Sequence, residues 1–227
     1  MKRIGLLGGI SHESTAAYYT RLHHRYYERH RNYHYPEIVI YSLDFQKFTD
    51  MENKAQPEEY IEYILSGVIA LHNAGADFAL MAANSPHAVF PEVAAGAPLP
   101  ILSIVESTIQ RAKSLRLEKL LLLGIRFTMQ KNFYADAGLE SGIEVITPLE
   151  ADQTVVNELI FNELVVGEIR QSSRTRLVEL ISSYEVSGVI LGCTELPLIL
   201  SDQDCDLPLL DTLELHVQAA LDHALAE

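Results

Sequence analysis

Cysteine has the widest chemical scope of the residue types in this sequence, and one of its two cysteines occupies an unusual position. Cys193 lies in Gly192-Cys193-Thr194-Glu195, directly after the apolar run 188–191. At the end of a strand and before a short helix, a thiol lies near backbone N–H groups that stabilise its thiolate and lower its pKa. A thiolate can take a proton from carbon, return one, or attack an electrophile. A free cysteine is also a common small buried hydrophobic residue, and the spacing alone favours neither interpretation.

The second cysteine, Cys205, has a less favourable setting for chemistry. It lies in the polar stretch 201–206, where the neighbouring acids disfavour a thiolate. Two cysteines in 227 residues do not form a disulfide framework. We therefore expect a protein of the reducing cytoplasm.

Two turns in the first half of the chain carry polar side chains after apolar runs. Ser11, after Gly8-Gly9, offers a helix N-cap or a carboxylate-binding group. In Asn84-Ser85-Pro86-His87, Ser85 is the predicted N-cap and Pro86 fits the first helical turn. Asn84 follows a buried strand, so its amide needs partners, and a ligand is one candidate. His87 is either a structural hydrogen-bonding group or an acid–base group.

A third turn, Gly124–Met129, follows the apolar run 119–123. Thr128 is a predicted N-cap, and its hydroxyl and the following N–H groups can also hold a carboxylate. Arg126 is either a second carboxylate-binding group or a solvated surface residue. None of these turns contains the glycine pattern of a dinucleotide-binding fold or a P-loop.

Short apolar runs alternate with helical patterns along the whole chain. Runs typical of strands lie at 3–7, 37–43, 77–83, 100–104, 119–124, 144–147, 187–192 and 207–210, and helical patterns lie at 14–30, 57–74, 85–95, 105–115, 128–140, 152–168, 173–185 and 212–225. Near-continuous apolar strands are typical of parallel sheets covered on both faces. Their alternation with helices predicts βαβ units in an α/β fold.

The two halves of the chain have similar patterns. Leu6-Leu7-Gly8-Gly9 resembles Leu122-Leu123-Gly124-Ile125, and Ala82-Ala83-Asn84 corresponds to Gly192-Cys193-Thr194. We predict two similar doubly wound lobes, each with a mainly parallel four-stranded sheet. The first lobe spans 1–97, with the C-terminal segment 210–227 packing back on it, and the second spans 98–209.

Composition excludes several classes of protein. The net charge of −14 provides no basic footprint for nucleic acid. No apolar run reaches the roughly 20 residues of a membrane span. The histidines at 23, 24, 30 and 34 lie among arginines in a polar segment, which favours a solvated or subunit-facing surface over a metal site. We predict no cofactor and no metal.

The motifs, taken in order, resemble those of the aspartate/glutamate racemase family over nearly the whole chain. The segments that carry the resemblance are Leu6–Ser11 with Glu13-Ser14-Thr15 and Tyr18-Tyr19, Ser42–Phe45, Asn84–His87, Phe127–Met129, Phe161–Leu164, Gly188–Pro197, and Leu210-Asp211-Thr212 with His216. The resemblance implies a dimer of two-lobed subunits without pyridoxal phosphate or metal. It places the active site in the cleft between the lobes.

In this family one cysteine thiolate removes the Cα proton of an amino acid and a second returns a proton from the opposite face. The resemblance makes Cys193 the catalytic acid–base residue. It implies that the carboxylate of an amino acid or related substrate is held by Ser11, Asn84, Ser85, Thr128 and Thr194. His87 and Glu195 become orienting groups.

The sequence departs from the family pattern where the first catalytic cysteine is expected, because that position is Ala83. Positions that are cationic in some aspartate racemases correspond to Phe48 and Val165. Three hypotheses follow. The protein is a racemase or epimerase whose second acid–base group is Ser85, His87 or water; a single-cysteine enzyme that transfers protons on one face, as decarboxylases related to this family do; or a ligand-binding protein without turnover.

Overall fold

The computed structural model describes residues 1–53 and 57–226. Within them the chain forms two compact units. The first contains Met1–Ile104 and the segment from Leu213 onward, and the second contains Val105–Thr212. None of the helices in the described part of the chain combines the length and apolar character that a membrane span requires.

The first unit is built on a four-stranded parallel sheet. Its strands are β1 (Ile4–Gly8), β2 (Ile38–Ser42), β3 (Phe78–Met81) and β4 (Ile101–Leu102), in the spatial order β2-β1-β3-β4. The helices along this part of the chain are α1 (His12–His30), α2 (Phe45–Asn53), α3 (Pro57–Asn73) and α4 (Phe90–Gly96). A 3-10 helix, Ser85–Val89, precedes α4.

The second unit repeats the same plan. Its strands are β5 (Lys119–Leu123), β6 (Glu144–Ile146), β7 (Gly188–Leu191) and β8 (Leu209–Asp211), in the order β6-β5-β7-β8, all parallel. The accompanying helices are α5 (Ile104–Ser114), α6 (Arg126–Gln130), α7 (Phe133–Glu140), α8 (Glu150–Asn162) and α9 (Gln171–Ser182), with short 3-10 helices at Leu164–Val166 and Leu196–Leu198. The predicted α/β class with two four-stranded parallel sheets is confirmed.

Alternation along the strands of the first unit divides its core between the two faces of the sheet. Leu6 and Leu80 pack with α1 on one face, and Leu7 and Met81 pack with α2 and α3 on the other. The last helix, α10 (Thr212–Leu225), adds several apolar side chains to the α1 face, among them Leu213. Both faces of this sheet are therefore covered by helices, which explains its near-continuous apolar strands.

Equivalent strands of the two units end in the same way. The N–H of Ala82, just after β3, donates to the carbonyl of Leu7 at 2.9 Å. The N–H of Gly192, just after β7, donates to the carbonyl of Leu123 at 2.7 Å. Ala83 and Cys193 each follow these residues, so they occupy corresponding positions at the carboxyl ends of the two sheets.

Helix α2 is absent from the sequence prediction. Its N-terminus is capped by the Asp44 carboxylate, which accepts the N–H of Lys47 at 3.1 Å. Phe48 anchors it, since this side chain is 1% exposed and its ring lies 5.1 Å from that of Tyr60. Phe48 and the partly buried Met51 are the core-facing side chains of this short polar helix, and two positions give too weak a periodic pattern to recognise.

The helix predicted at 85–95 is wrong as a single element, and Ser85 is not its N-cap. The chain forms a 3-10 helix from Ser85, with Asn84 in the cap position and no side-chain cap bond, before α4 begins at Phe90. Pro91 has no N–H to donate to the carbonyl of His87, and the N–H of Phe90 takes that carbonyl in 3-10 geometry.

Two other predicted helices are divided. The pattern at 128–140 becomes α6 and α7, because Lys131 between them is extended (φ −95°, ψ 151°). The pattern at 152–168 ends as α8 at Asn162, and the 3-10 turn that follows stops at Gly167, whose φ of 77° is left-handed.

Candidate active site

Ser11 ends the loop after β1 as the N-cap of α1. Its hydroxyl accepts the N–H of Ser14 at 3.2 Å, which confirms the predicted cap. Gly9 allows this tight turn, because its φ is +80° and a Cβ there would lie 2.2 Å from the carbonyl of Leu43. The Ser14 hydroxyl donates to the carbonyl of Ala82, so the β1 turn is fastened to the end of β3.

The turn after β3 is almost completely buried. Asn84 is 5% exposed, Ser85 6% and His87 2%. The N–H of His87 donates to the carbonyl of Asn84 at 3.0 Å, which closes the turn. Ala83, in the position of the expected cysteine, keeps part of its surface accessible.

His87 is held as a neutral imidazole with both ring nitrogens engaged. Its Nε2 accepts the N–H of Ile104 at 3.1 Å, so the proton resides on Nδ1, which donates to the carbonyl of Ala83 at 3.1 Å. Burial, reinforced by the nearby His216, lowers the pKa of His87 to about 3. This geometry leaves His87 no proton to exchange with a substrate and supports an orienting role for it.

A second buried histidine, His216, lies near His87 and is also hydrogen-bonded through both ring nitrogens. His216 of α10 accepts the Tyr18 hydroxyl at Nδ1, at 2.8 Å, and Nε2 donates to the carbonyl of Leu102 at 3.0 Å. Burial lowers the pKa of His216 to about 4, and its ring lies 6.3 Å from that of His87. Tyr18 and His216 carried the family resemblance, but no sequence signal indicated that they touch.

In the second unit, Gly124 and Gly192 bring the ends of β5 and β7 together. A Cβ on Gly124 would lie 3.1 Å from the carbonyl oxygen of Gly192, and one on Gly192 would lie 2.9 Å from that of Leu123. Thr128 packs against both glycines. It is 1% exposed, and its Oγ1 is buried without a hydrogen-bonding partner among the described residues.

Thr128 is not the N-cap of α6, contrary to the prediction. The cap position is Ile125, and the first helical N–H, that of Arg126, donates to the Asn157 side chain of α8 at 2.8 Å. A cap from a distant helix thus starts α6 before Thr128. The exposed Arg126 guanidinium donates to Thr154 at 2.8 Å.

Cys193 lies where β7 ends and is half-buried. Its thiol donates to Oε2 of Glu195 at 2.9 Å, and the Thr194 hydroxyl donates to the same oxygen at 2.8 Å. One carboxylate oxygen therefore holds both neighbouring side chains. Cys205, by contrast, lies beside the β8 segment, where its sulfur accepts the N–H of Leu207 at 3.4 Å.

The predicted lowering of the Cys193 pKa is wrong. Burial, followed by the charge and hydrogen bond of Glu195, raises the pKa of the thiol well above its ordinary value. The N–H groups of Thr194 and Glu195 act in the predicted direction but are outweighed. The helix that follows has only three residues, so its dipole offers little compensation. Cys193 thus rests as a thiol whose proton acceptor is already in place.

Solved structures share this arrangement of two parallel sheets. The chain superimposes on a candidate Asp/Glu racemase from Yersinia pestis with a TM-score of 0.93, at 35% identity and 100% coverage of both chains. It superimposes on an aspartate racemase homologue from Pyrococcus horikoshii OT3 with a TM-score of 0.89, at 35% identity and 99% coverage of each. The fold is that of the two-lobed amino-acid racemases.

The family model for Asp/Glu/hydantoin racemases matches residues 7–220, and the chain belongs to this family. It is 27% identical over 214 residues to the broad specificity amino-acid racemase RacX of Bacillus subtilis (strain 168), with 92% of each chain covered. The protein is accordingly an isomerase of the amino-acid racemase type.

Proposed function

We propose that this protein is a cofactor-independent amino-acid racemase or epimerase in which Cys193 transfers the Cα proton. The observation that carries the proposal is the Cys193 thiol at the end of β7, whose sulfur lies 2.9 Å from Oε2 of Glu195 and donates to it. A thiol and a base in direct contact form an acid–base pair that can work in either direction.

The pair accounts for both halves of a proton transfer. When Glu195 accepts the thiol proton, the resulting thiolate takes the proton from Cα, and the C–H electron pair remains on the substrate as an enolate-like anion. In the reverse direction the thiol gives its proton to that anion and becomes a thiolate. Glu195 therefore orients the Cys193 thiol and accepts its proton when the thiolate forms.

Stabilising the enolate-like charge requires hydrogen-bond donors at the substrate carboxylate. Thr128 is the strongest candidate, because its buried Oγ1 has no partner within the described residues and a ligand oxygen would satisfy it. We propose that Thr194 and, from the first unit, Ser11, Asn84 and Ser85 share this role. His87 fixes the Ala83–Ser85 turn through its bond to the carbonyl of Ala83.

The substrate class follows from the family and from Phe48. RacX is described as a racemase of broad amino-acid specificity. Phe48 is 1% exposed in the core of the first unit and offers a side-chain carboxylate no cation. We propose a small amino acid or a related carboxylate, recognised mainly through its α-carboxylate.

Hydrogen exchange at Cα tests this function. The L- and D-forms of alanine, serine, aspartate, glutamate and lysine are incubated in deuterated water with wild type, Cys193→Ala and the control Cys205→Ala. We expect deuterium at Cα and inversion with wild type and Cys205→Ala, and a loss of at least about 100-fold with Cys193→Ala. Tight binding without exchange for every amino acid would indicate a binding protein and overturn the enzymatic proposal.

A single-cysteine mechanism is the second candidate, and two observations favour it. Cys193 rests as a protonated thiol, and Ala83 carries no exchangeable proton. One thiol alone can protonate one face of an enolate. The same experiment separates the candidates, because one-face chemistry gives Cys193-dependent exchange with retention of configuration, whereas racemisation gives inversion.

We also propose that the protein is cytoplasmic and forms a homodimer. The paucity of cysteines supports the first proposal and the family resemblance the second. Sedimentation of the purified protein tests the dimer, and a mass of one subunit at micromolar concentration contradicts it.

A further inference from the structure

A buried chain of hydroxyl groups leads away from the turn that lacks a cysteine. Ser85 opens the 3-10 helix after β3, and its side chain hydrogen-bonds Tyr60 of α3. The Tyr60 hydroxyl donates to Oε1 of Glu52 in α2 at 3.1 Å. Ser85 is 6% exposed and Tyr60 3%, whereas Glu52 is half-buried and retains access to solvent. The three side chains connect a buried turn to a carboxylate near the surface.

The hydrogen bonds that join Ser85, Tyr60 and Glu52 all donate in the same direction. Burial and the charge of Glu52 raise the pKa of Tyr60 far above its ordinary range, so the phenol keeps its proton and donates it to Glu52. The Tyr60 hydroxyl has one proton and directs it to Glu52, so in the hydrogen bond between Tyr60 and Ser85 the Ser85 hydroxyl is the donor. The donors therefore run from Ser85 to Tyr60 to Glu52.

The correspondence between the two turns gives Ser85 the position that Glu195 has in the second unit. Ala83 corresponds to Cys193, so Ser85, two residues later, corresponds to Glu195. In the second unit, the side chain at this position accepts the thiol proton at 2.9 Å. In the first unit, the side chain at the same position begins a path to another carboxylate.

His87 does not compete for this role, because both its nitrogens are bound to the backbone, at 3.1 Å each. Ser85 is then the exchangeable group of this turn whose proton has an onward path to solvent. Inversion at Cα requires a second proton-transfer group on the face of the substrate opposite the first.

We propose that Ser85 is this second proton-transfer group and that Tyr60 and Glu52 form its relay; the proposal rests on the proposed racemase function. As a base, Ser85 Oγ takes the proton from Cα while its own proton moves to Tyr60 and the Tyr60 proton moves to Glu52. The C–H electron pair stays on the substrate, and Cys193 donates its proton to the other face. Glu52 ends neutral and Cys193 ends as a thiolate, and both reset by exchange with water.

The relay is tested by separating inversion from exchange. Tyr60→Phe keeps the buried ring and removes only the hydroxyl, and Glu52→Gln removes the terminal base. Tyr63→Phe is the matched control, because it removes from the same helix a hydroxyl that accepts the N–H of Asp44 at 3.0 Å. Each variant is incubated with the L- and D-forms of alanine and glutamate in deuterated water, and exchange is followed by proton NMR and inversion by chiral chromatography.

We expect Tyr60→Phe and Glu52→Gln to lower inversion at least tenfold while Cys193-dependent exchange with retention stays within about twofold. Tyr63→Phe should change neither. Wild-type inversion in Tyr60→Phe overturns the relay and leaves the racemase function intact. An equal loss of inversion and exchange in Tyr60→Phe also overturns it, because it points to a purely structural role. No Cys193-dependent exchange in wild type overturns both.

Two variants of Ser85 test the relay independently of whether Tyr60→Phe folds. A thiol at position 85 needs no relay, so Ser85→Cys should invert substrate even when combined with Tyr60→Phe or Glu52→Gln. Ser85→Ala should lower inversion by a larger factor than exchange, because exchange loses only the contribution of Ser85 to carboxylate binding. Unchanged inversion in Ser85→Ala would assign the second proton transfer to water and overturn the proposal.

Discussion

The turns after β3 and β7 occupy the same place in two similar sheets but treat protons differently. After β7, the thiol of Cys193 donates directly to the carboxylate of Glu195 at 2.9 Å. After β3, Ala83 has no proton to move, and His87 is fixed by two backbone bonds. Equivalent backbone positions thus hold the proposed acid–base pair in one unit and mainly structural polar contacts in the other, apart from the proposed role of Ser85.

The largest expected effect comes from neutralising the carboxylate after β7. Glu195→Gln removes the acceptor of the thiol proton, and we expect kcat for Cα exchange to fall about 100-fold. The same change removes a charge that raises the Cys193 pKa, so more thiolate should form near neutral pH. Alkylation of Cys193 by iodoacetamide, measured by peptide mass spectrometry at pH 7, should become several-fold faster.

Glu158→Gln, on the exposed face of α8, is the matched control for Glu195→Gln and should leave both rates unchanged. An alkylation rate that Glu195→Gln does not raise would contradict the coupling of thiol and carboxylate. A wild-type rate of exchange in that variant would remove Glu195 from the reaction.

An intermediate effect is expected from restoring symmetry between the two turns. Ala83→Cys places a thiol in the position equivalent to Cys193, and if both turns act on one substrate we expect inversion to rise about tenfold. Ala83→Ser is the control of similar size without the thiol. Inversion measured by chiral chromatography that is the same in all three proteins would show that position 83 does not reach the reacting carbon.

The last effect concerns stability rather than rate, and it compares the buried, hydrogen-bonded histidines of the first unit with the thiol of the second. Burial holds the pKa of His87 at about 3 and that of His216 at about 4, below the ordinary 6.5. Their neutral forms therefore stabilise the fold fully above about pH 6.5, and this contribution is lost as the pH falls toward 4. Each histidine should lower the free energy of unfolding by about 1.4 kcal/mol per pH unit in that interval.

Urea unfolding of wild type, His216→Gln and the exposed control His24→Gln between pH 7.5 and 4.5 measures this slope. His216→Gln should be less stable at pH 7.5 and should show a shallower decline on acidification, whereas His24→Gln should follow wild type. Parallel curves for all three proteins would mean that His216 is not held neutral by burial.

Much of the fold could be predicted from the sequence, because apolar strands buried on both faces leave a strong local signal. The N-cap of α1 was equally local, since Ser11 and the N–H that it binds are three residues apart. Thr128 was wrongly predicted as an N-cap because the group that caps α6, the Asn157 side chain of α8, is distant in the sequence. For Ser85, the 3-10 helix begins one residue earlier than predicted, with Asn84 in the cap position and no side-chain cap bond to mark it.

In the candidate site, too, contacts between residues close in the sequence could be predicted and contacts between distant elements could not. Cys193 and Glu195 are two residues apart, and their contact could be anticipated. The raised Cys193 pKa could not, because it depends chiefly on burial. Tyr60 and Glu52 gave no signal, because Tyr60 reads as one more core position of α3, and its role emerges only through contacts with other elements.

Helix α10 determines when each unit can be completed during synthesis. Residues 105–212 are contiguous, so the second unit leaves the ribosome with its whole core. The first unit begins earlier but must wait, because the apolar side chains of α10, such as Val217 and Leu221, close one face of its sheet. Until those residues are translated, the first sheet exposes part of its apolar face, so the unit that begins first cannot bury its whole core until the chain of the second unit has been made.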